Sequence, residues 1–133
     1  MVLTKNPERY SILIADDDQN CREDLREIVE PEGFRTVLAE CGEEALDVVQ
    51  RQTVHLFLCD MYMPRLSGLQ TLQIARQFNE DLPCILVSGD VNERLMQEAL
   101  SAKVYSVLAK PVNKNVLLYI VVRALMKAYE ELP

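Results

Sequence analysis

Histidine occurs once in this chain of 133 residues, cysteine four times, and no apolar stretch approaches the ~20 residues that span a bilayer. Each scarcity excludes a class of function. With His55 alone, preceding an apolar run, a Ser-His or Cys-His nucleophile is disfavoured, and the residue reads as structural. Cys21, Cys41, Cys59 and Cys84 have no C-x-x-C spacing and sit in apolar settings or beside turns, so they read as four reduced thiols, not a zinc site. Basic residues are in the minority, and a net charge of -7 argues against a nucleic-acid surface, which relies on clustered Lys and Arg. The start, Met1-Val2-Leu3-Thr4-Lys5-Asn6-Pro7, carries no signal-peptide apolar region, and the expected setting is the cytoplasm, with no membrane contact. Internal repeats, low-complexity tracts and Gly/Ser-rich linkers are also missing. What remains is a chain of single-domain size, 49% hydrophobic and 26% charged, which reads as globular.

Five short apolar runs, at residues 10–15, 36–39, 55–59, 84–87 and 104–108, alternate with five stretches of helical periodicity. That alternation means βαβ units and a parallel sheet. The runs are apolar on consecutive positions, as expected when helices cover both faces, so the fold class is α/β and the architecture a three-layer α/β/α sandwich. Residues 1–9 are polar and read as a lead-in; the domain is expected over 10–130. The first helix carries Cys21, Leu25, Ile28 and Val29 on one face, with Asp18 placed to cap it. The second runs from about Glu43 to Arg51. The third starts at Ser67 and continues through Phe78, and the fourth uses Val91, Leu95 and Ala99.

The fifth helix differs. Leu117, Ile120, Val121, Ala124, Leu125 and Ala128 form a core stripe, but Leu118, Tyr119, Val122, Met126 and Tyr129 are apolar on other faces. Either a neighbouring helix shades that surface or it is a partner interface, for which exposed contiguous apolar area is the usual mark.

Four of the runs end in polar groups that carry chemistry. Ile12-Leu13-Ile14-Ala15 runs into Asp16-Asp17-Asp18; Leu56-Phe57-Leu58-Cys59 into Asp60; Cys84-Ile85-Leu86-Val87 into Ser88-Gly89; and Val104 to Ala109 into Lys110-Pro111. Open α/β sheets place their chemistry at the carboxyl ends of strands. Taken singly, these are a solvated turn with a helix cap or a surface lysine; their coincidence at four strand ends argues for one site of Asp16, Asp17, Asp60, Ser88 and Lys110. Two carboxylates about 4 Å apart repel by about 4 kcal/mol at an effective dielectric of 20, so the cluster calls for a cation. An open, oxygen-only set suits Mg²⁺. Carboxylates also act as nucleophiles toward phosphorus, with Lys110 and Ser88 placed to neutralise charge.

These segments, together with Asp60-Met61-Tyr62-Met63-Pro64-Arg65-Leu66-Ser67-Gly68, make the chain resemble the receiver domain of bacterial response regulators, the CheY-like superfamily, over residues 10 to about 130. The resemblance implies a flavodoxin-like sheet of strand order 2-1-3-4-5. It implies that Asp60 accepts phosphate from a sensor histidine kinase or a phosphotransfer protein, that Asp17 ligates Mg²⁺ with Asp16 assisting, and that the Tyr62 main-chain carbonyl is a further ligand. Ser88 and Lys110 would bind the phosphoryl group, the Lys110-Pro111 bond would be cis, and Tyr62 would flank the path of attacking water. Three departures stand out: Val107 where the family has a switching aromatic, Gly89 where alanine is usual, and Lys103 where glycine is favoured. Tyr105, two residues before Val107, is expected on the same side of the strand, about 6.6 Å away. With Leu118 and Val122 it marks a possible homodimer face on the fifth strand and helix. The competing readings are a pseudo-receiver that binds partners without phosphorylation and a Mg²⁺-dependent phosphatase; the latter lacks its second acid, because Tyr62 stands two residues after Asp60.

Overall fold

The computed structural model describes residues 6–130, so residues 1–5 of the expected lead-in and 131–133 lie outside the described part. Strands β1 (Ser11–Ala15), β2 (Arg35–Ala39), β3 (Leu56–Asp60), β4 (Cys84–Ser88) and β5 (Ser106–Ala109) form one sheet of order β2-β1-β3-β4-β5, every pair parallel. Helices α1 (Gln19–Val29), α2 (Gly42–Arg51), α3 (Gly68–Ala75), α4 (Glu93–Ser101) and α5 (Lys114–Leu125) connect and follow them. A 3₁₀ turn at Pro7–Arg9 precedes β1, and a π turn at Met126–Glu130 extends α5.

The consecutive apolar runs have their cause in the layers. Leu13, Phe57, Cys59, Cys84 and Leu86 face α2, α3 and α4, while Ile12, Ile14, Leu56, Leu58, Ile85 and Val87 face α1 and α5. β1, β3 and β4 are buried along their whole length; the edge strands β2 and β5 are only partly so. Asp18 caps α1 through the Asn20 and Cys21 amides, and Ser67 opens α3 in a capping box with Gln70.

His55 has the structural role its isolation suggests. Its Nδ1 accepts the Ser11 N–H at 3.0 Å, and its ring meets Tyr10 and Tyr129 edge-on, at the end of the sheet opposite the aspartates. Burial first, then the charges of Arg35 and Arg9, holds its pKa below the ordinary histidine value.

Four local expectations are corrected. α3 ends at Ala75 and leaves Phe78 55% exposed, because Arg76 turns its guanidinium onto the carbonyls of Leu82, Ala102 and Lys103, and 3₁₀-type bonds tighten the exit. Asn92 caps α4, so Val91 precedes the helix and is exposed, not part of its apolar face. Val122, expected on an interface, is only 3% exposed and belongs to the core beneath α5. Tyr105 packs toward α1 and α5 whereas Val107 packs toward α2–α4, so the two lie on opposite sides. The reason is that Tyr105 lies in the bend before β5, which starts only at Ser106, so the strand's two-residue alternation does not reach it; two residues earlier, Lys103 takes the left-handed region (φ 56°).

Lys103 stands where a glycine would carry no Cβ penalty, and a left-handed L-residue costs roughly 1–2 kcal/mol. Lys103→Gly should therefore raise stability by about 0.5–1 kcal/mol after the added unfolded-chain entropy is subtracted. Urea unfolding at fixed pH checks this; a lower midpoint contradicts it.

Candidate functional site

The ladder that builds the sheet also aims the site. The Asp16 N–H continues β1 by donating to the Ala39 carbonyl at 3.2 Å, which leaves the buried Asp16 side chain at the strand's carboxyl end. There Oδ1 accepts the Asp18 N–H at 2.9 Å and Oδ2 accepts the Lys110 ammonium at 3.0 Å. Asp60 closes β3 and is buried, and its Oδ1 lies 3.3 Å from the same Lys110 nitrogen. Asp17 is exposed, yet carboxylate oxygens of Asp16, Asp17 and Asp60 lie within 4.8 Å of one another.

Gly68 is required by close approach: a Cβ there would lie 2.5 Å from the Asp60 carbonyl oxygen. Its N–H donates to the Met61 carbonyl at 2.8 Å, seating the start of α3 directly over the loop that follows Asp60. On the other side the Lys110 N–H donates to the Ser88 carbonyl at 2.9 Å, and the Lys110-Pro111 bond is cis, as the resemblance implied.

Ser88 is brought to the same sheet edge. Its buried hydroxyl donates to the Asp90 carbonyl at 3.0 Å and lies 3.1 Å from the Asp90 N–H, inside its own loop. No atom lies within 4 Å of where a Gly89 Cβ would stand, so that loop faces open space. Tyr62 follows Asp60 by two residues with its side chain 53% exposed. Leu118 is half-buried against the α1/α5 side of the core, and Tyr119 beside it is exposed.

One participant escaped the sequence reading. Arg22 is buried, and its Nη1 donates to the Asp16 main-chain carbonyl at 2.7 Å. The signal was present: Arg22 shares the i, i+3, i+7 stripe of Leu25 and Val29, where a charge is out of place.

The electrostatics are unbalanced. Burial first, then the neighbouring Asp16 charge, outweighs the attraction of Lys110 and pushes the Asp60 carboxyl up to about 6. Burial alone would lower the Lys110 pKa, but the hydrogen bond from its ammonium to Asp16 and the Asp60 charge win, and it is held above the ordinary lysine value.

The family model for the response regulator receiver domain matches residues 12–122. This chain belongs to that family. The receiver domain is 31% identical over 119 residues to response regulator RR06 of Streptococcus pneumoniae, covering 90% of this chain and 54% of that protein. It is 36% identical over 104 residues to the transcriptional regulatory protein CpxR of Escherichia coli, covering 77% of this chain and 43% of the other. It thus spans about half the length, or less, of these curated relatives. Among solved structures, a CheY-like receiver domain protein from Methanospirillum hungatei superposes with a TM-score of 0.84 at 27% identity, covering 90% of this chain and 95% of that one. Receiver domains are signalling switches of two-component systems, and the flavodoxin-like strand order is theirs. Among the described residues no helix of this receiver domain is long and apolar enough to cross a membrane.

A raised carboxyl pKa has a defined consequence for stability. Without metal, ionising Asp60 costs the folded state nothing below the unfolded-chain value of about 4. The cost grows as pH rises to about 6 and is constant above it. Asp60→Asn in EDTA should therefore melt higher than the wild type at pH 7.5, with the gap closing toward pH 4. Thermal melts across that range check this, and a gap that is constant or of the opposite sign contradicts it.

Proposed function

We propose that Asp60 is the phosphoacceptor of a Mg²⁺-dependent receiver domain acting in the cytoplasm, charged by the phosphohistidine of a sensor histidine kinase or phosphotransfer protein. The observation that carries this reading is the ammonium of Lys110, which reaches Asp16 and Asp60 at once where three carboxylates converge.

The donor set fits the metal. Three carboxylates, one of them exposed, offer oxygen ligands only and leave room for water and a phosphoryl oxygen, the habit of Mg²⁺. Asp16, Asp17, Asp60 and the Tyr62 main-chain carbonyl would hold it. When bound, the ion supplies positive charge to the carboxylates and to the phosphoryl oxygens.

The chain's own groups carry the transfer. An Asp60 oxygen forms a bond to phosphorus as the P–N bond to the donor imidazole breaks and its electron pair returns to the ring nitrogen. Lys110 meets the charge on the transferred oxygens. Ser88 joins by rotating its hydroxyl out of the turn with Asp90, and Gly89 leaves that loop free to follow. A mostly apolar cleft of about 350 Å³ beside Lys110, lined by Cys21, Leu25, Ile28 and Val112 among others, offers a protein donor a seat next to the site.

The Ser88 loop leads into α4, which buries only Leu95 and Ala99 and exposes Met96 and Leu100. An element anchored by so few side chains shifts at low cost. With Val107 in the aromatic's place, this helix and the β5 edge, not a rotating ring, are the route from phosphoryl to partner. A homodimer across the fifth strand and helix would use Tyr105, Leu118 and Tyr119, and Val122 would support it from the core.

Incubation with acetyl phosphate and Mg²⁺ should add one phosphate, seen by intact mass, and none to Asp60→Asn. Unlabelled wild type would favour the pseudo-receiver reading; label persisting in the variant would sink the assignment of Asp60.

A further inference from the structure

Arg22 is the one buried basic side chain among the described residues, 7% exposed, and it sits in a stripe otherwise occupied by Leu25 and Val29. A buried charge is costly, and for packing alone an apolar residue would serve better. Its Glu40 ion pair does not explain it, since the contact is 3.6 Å and the Glu40 side chain is 70% exposed. The short bond is the other one, from Nη1 to the Asp16 carbonyl at 2.7 Å.

That carbonyl is half of the Asp16–Asp17 peptide unit. The unit is planar, so fixing the oxygen fixes the plane and with it the direction in which the chain sets Asp17. Asp16 is then pinned on every side. Its N–H goes to Ala39, its carboxylate takes Asp18 N–H and Lys110, and its carbonyl takes Arg22. The Arg22 main-chain N–H makes the first turn bond of α1, to the Asp18 carbonyl at 3.0 Å, which roots the side chain directly behind the turn.

We propose that Arg22 is a positioning residue for the metal-binding acids: from behind the β1–α1 turn it holds the peptide that presents Asp16 and Asp17 as a pair. The proposal rests on the reading of the acids as a Mg²⁺ site. It makes a prediction opposite in sign to simple electrostatics. A second cation near a metal site repels the metal, so if charge were all that mattered, its removal would tighten Mg²⁺ binding. If Arg22 positions the acids, its removal weakens binding although a positive charge has gone.

The test is calorimetric Mg²⁺ titration of the full chain as wild type, Arg22→Met and Arg22→Lys, with melting temperatures recorded for each. Arg22→Met should bind Mg²⁺ about tenfold or more weakly, the range seen when groups that orient metal ligands are removed. Arg22→Lys, which can still donate to the carbonyl, should recover part of the loss. In the absence of metal, the Asp18 amide, bonded to the Asp16 carboxylate, should exchange with solvent faster in Arg22→Met.

Unchanged or tighter Mg²⁺ binding together with a lower melting temperature would make Arg22 a packing residue and overturn the proposal. A wild type that does not bind Mg²⁺ would instead refute the metal site itself. The metal-free Asp18 exchange then still decides whether Arg22 holds the turn, and unchanged exchange overturns it. If Arg22→Met does not fold, Arg22→Lys carries the comparison; if neither folds, Arg22 supports the fold, and the positioning role is lost.

Discussion

Three carboxylates converge at the carboxyl end of this sheet, where one ammonium reaches two of them, and the rest of the domain is organised around that site. At an effective dielectric of about 20, each close pair of like charges costs about 4 kcal/mol, comparable to what each contact with the lysine returns, and burial of Asp60 tips the balance against its ionised form. The Asp60 carboxyl registers this: burial first, then the Asp16 charge, raises it to about 6. A site of this kind is receptive to whatever brings positive charge or removes negative charge.

The parallel topology makes such a site possible. Every strand runs the same way, so residues far apart in sequence, from Asp16 to Lys110, arrive at one edge, where the buried ladders of β1, β3 and β4 fix their backbones. Rigidity on one side is matched by looseness on the other. α1 pins the acid turn through Arg22, and α3 is seated over the Asp60 carbonyl through Gly68, while the Ser88 loop and α4 have few anchors. In the proposed function, acceptance of a group at a fixed carboxylate and movement of a lightly held helix are separate tasks carried by separate elements.

Much of this was legible in the sequence. Strands buried on both faces must be apolar on consecutive residues, so Leu56 to Cys59 and Cys84 to Val87 announced themselves, and the polar residue closing each run marked the site. What escaped depended on side-chain direction. Arg22 looks like any helix-surface arginine until its place in the core stripe is weighed. Ser88 was legible as a residue at the site's edge, but not that its hydroxyl rests on the Asp90 main chain. Counting alternate residues put Tyr105 on the same side as Val107, but Tyr105 lies in the bend before β5, outside the strand's alternation. Val122 looked available because the α5 sequence is apolar on several faces, yet that part of the helix is pressed into the core.

The central claim is that Asp60 is electrostatically frustrated when the site lacks a cation and relaxed when it has one. Carboxyl-carbon NMR titration of Asp60 tests it most directly, in EDTA and then in saturating Mg²⁺. The account predicts a midpoint near about 6 without metal, moving below the ordinary carboxylate value with it. An ordinary aspartate midpoint in EDTA, or one that Mg²⁺ leaves in place, would contradict it.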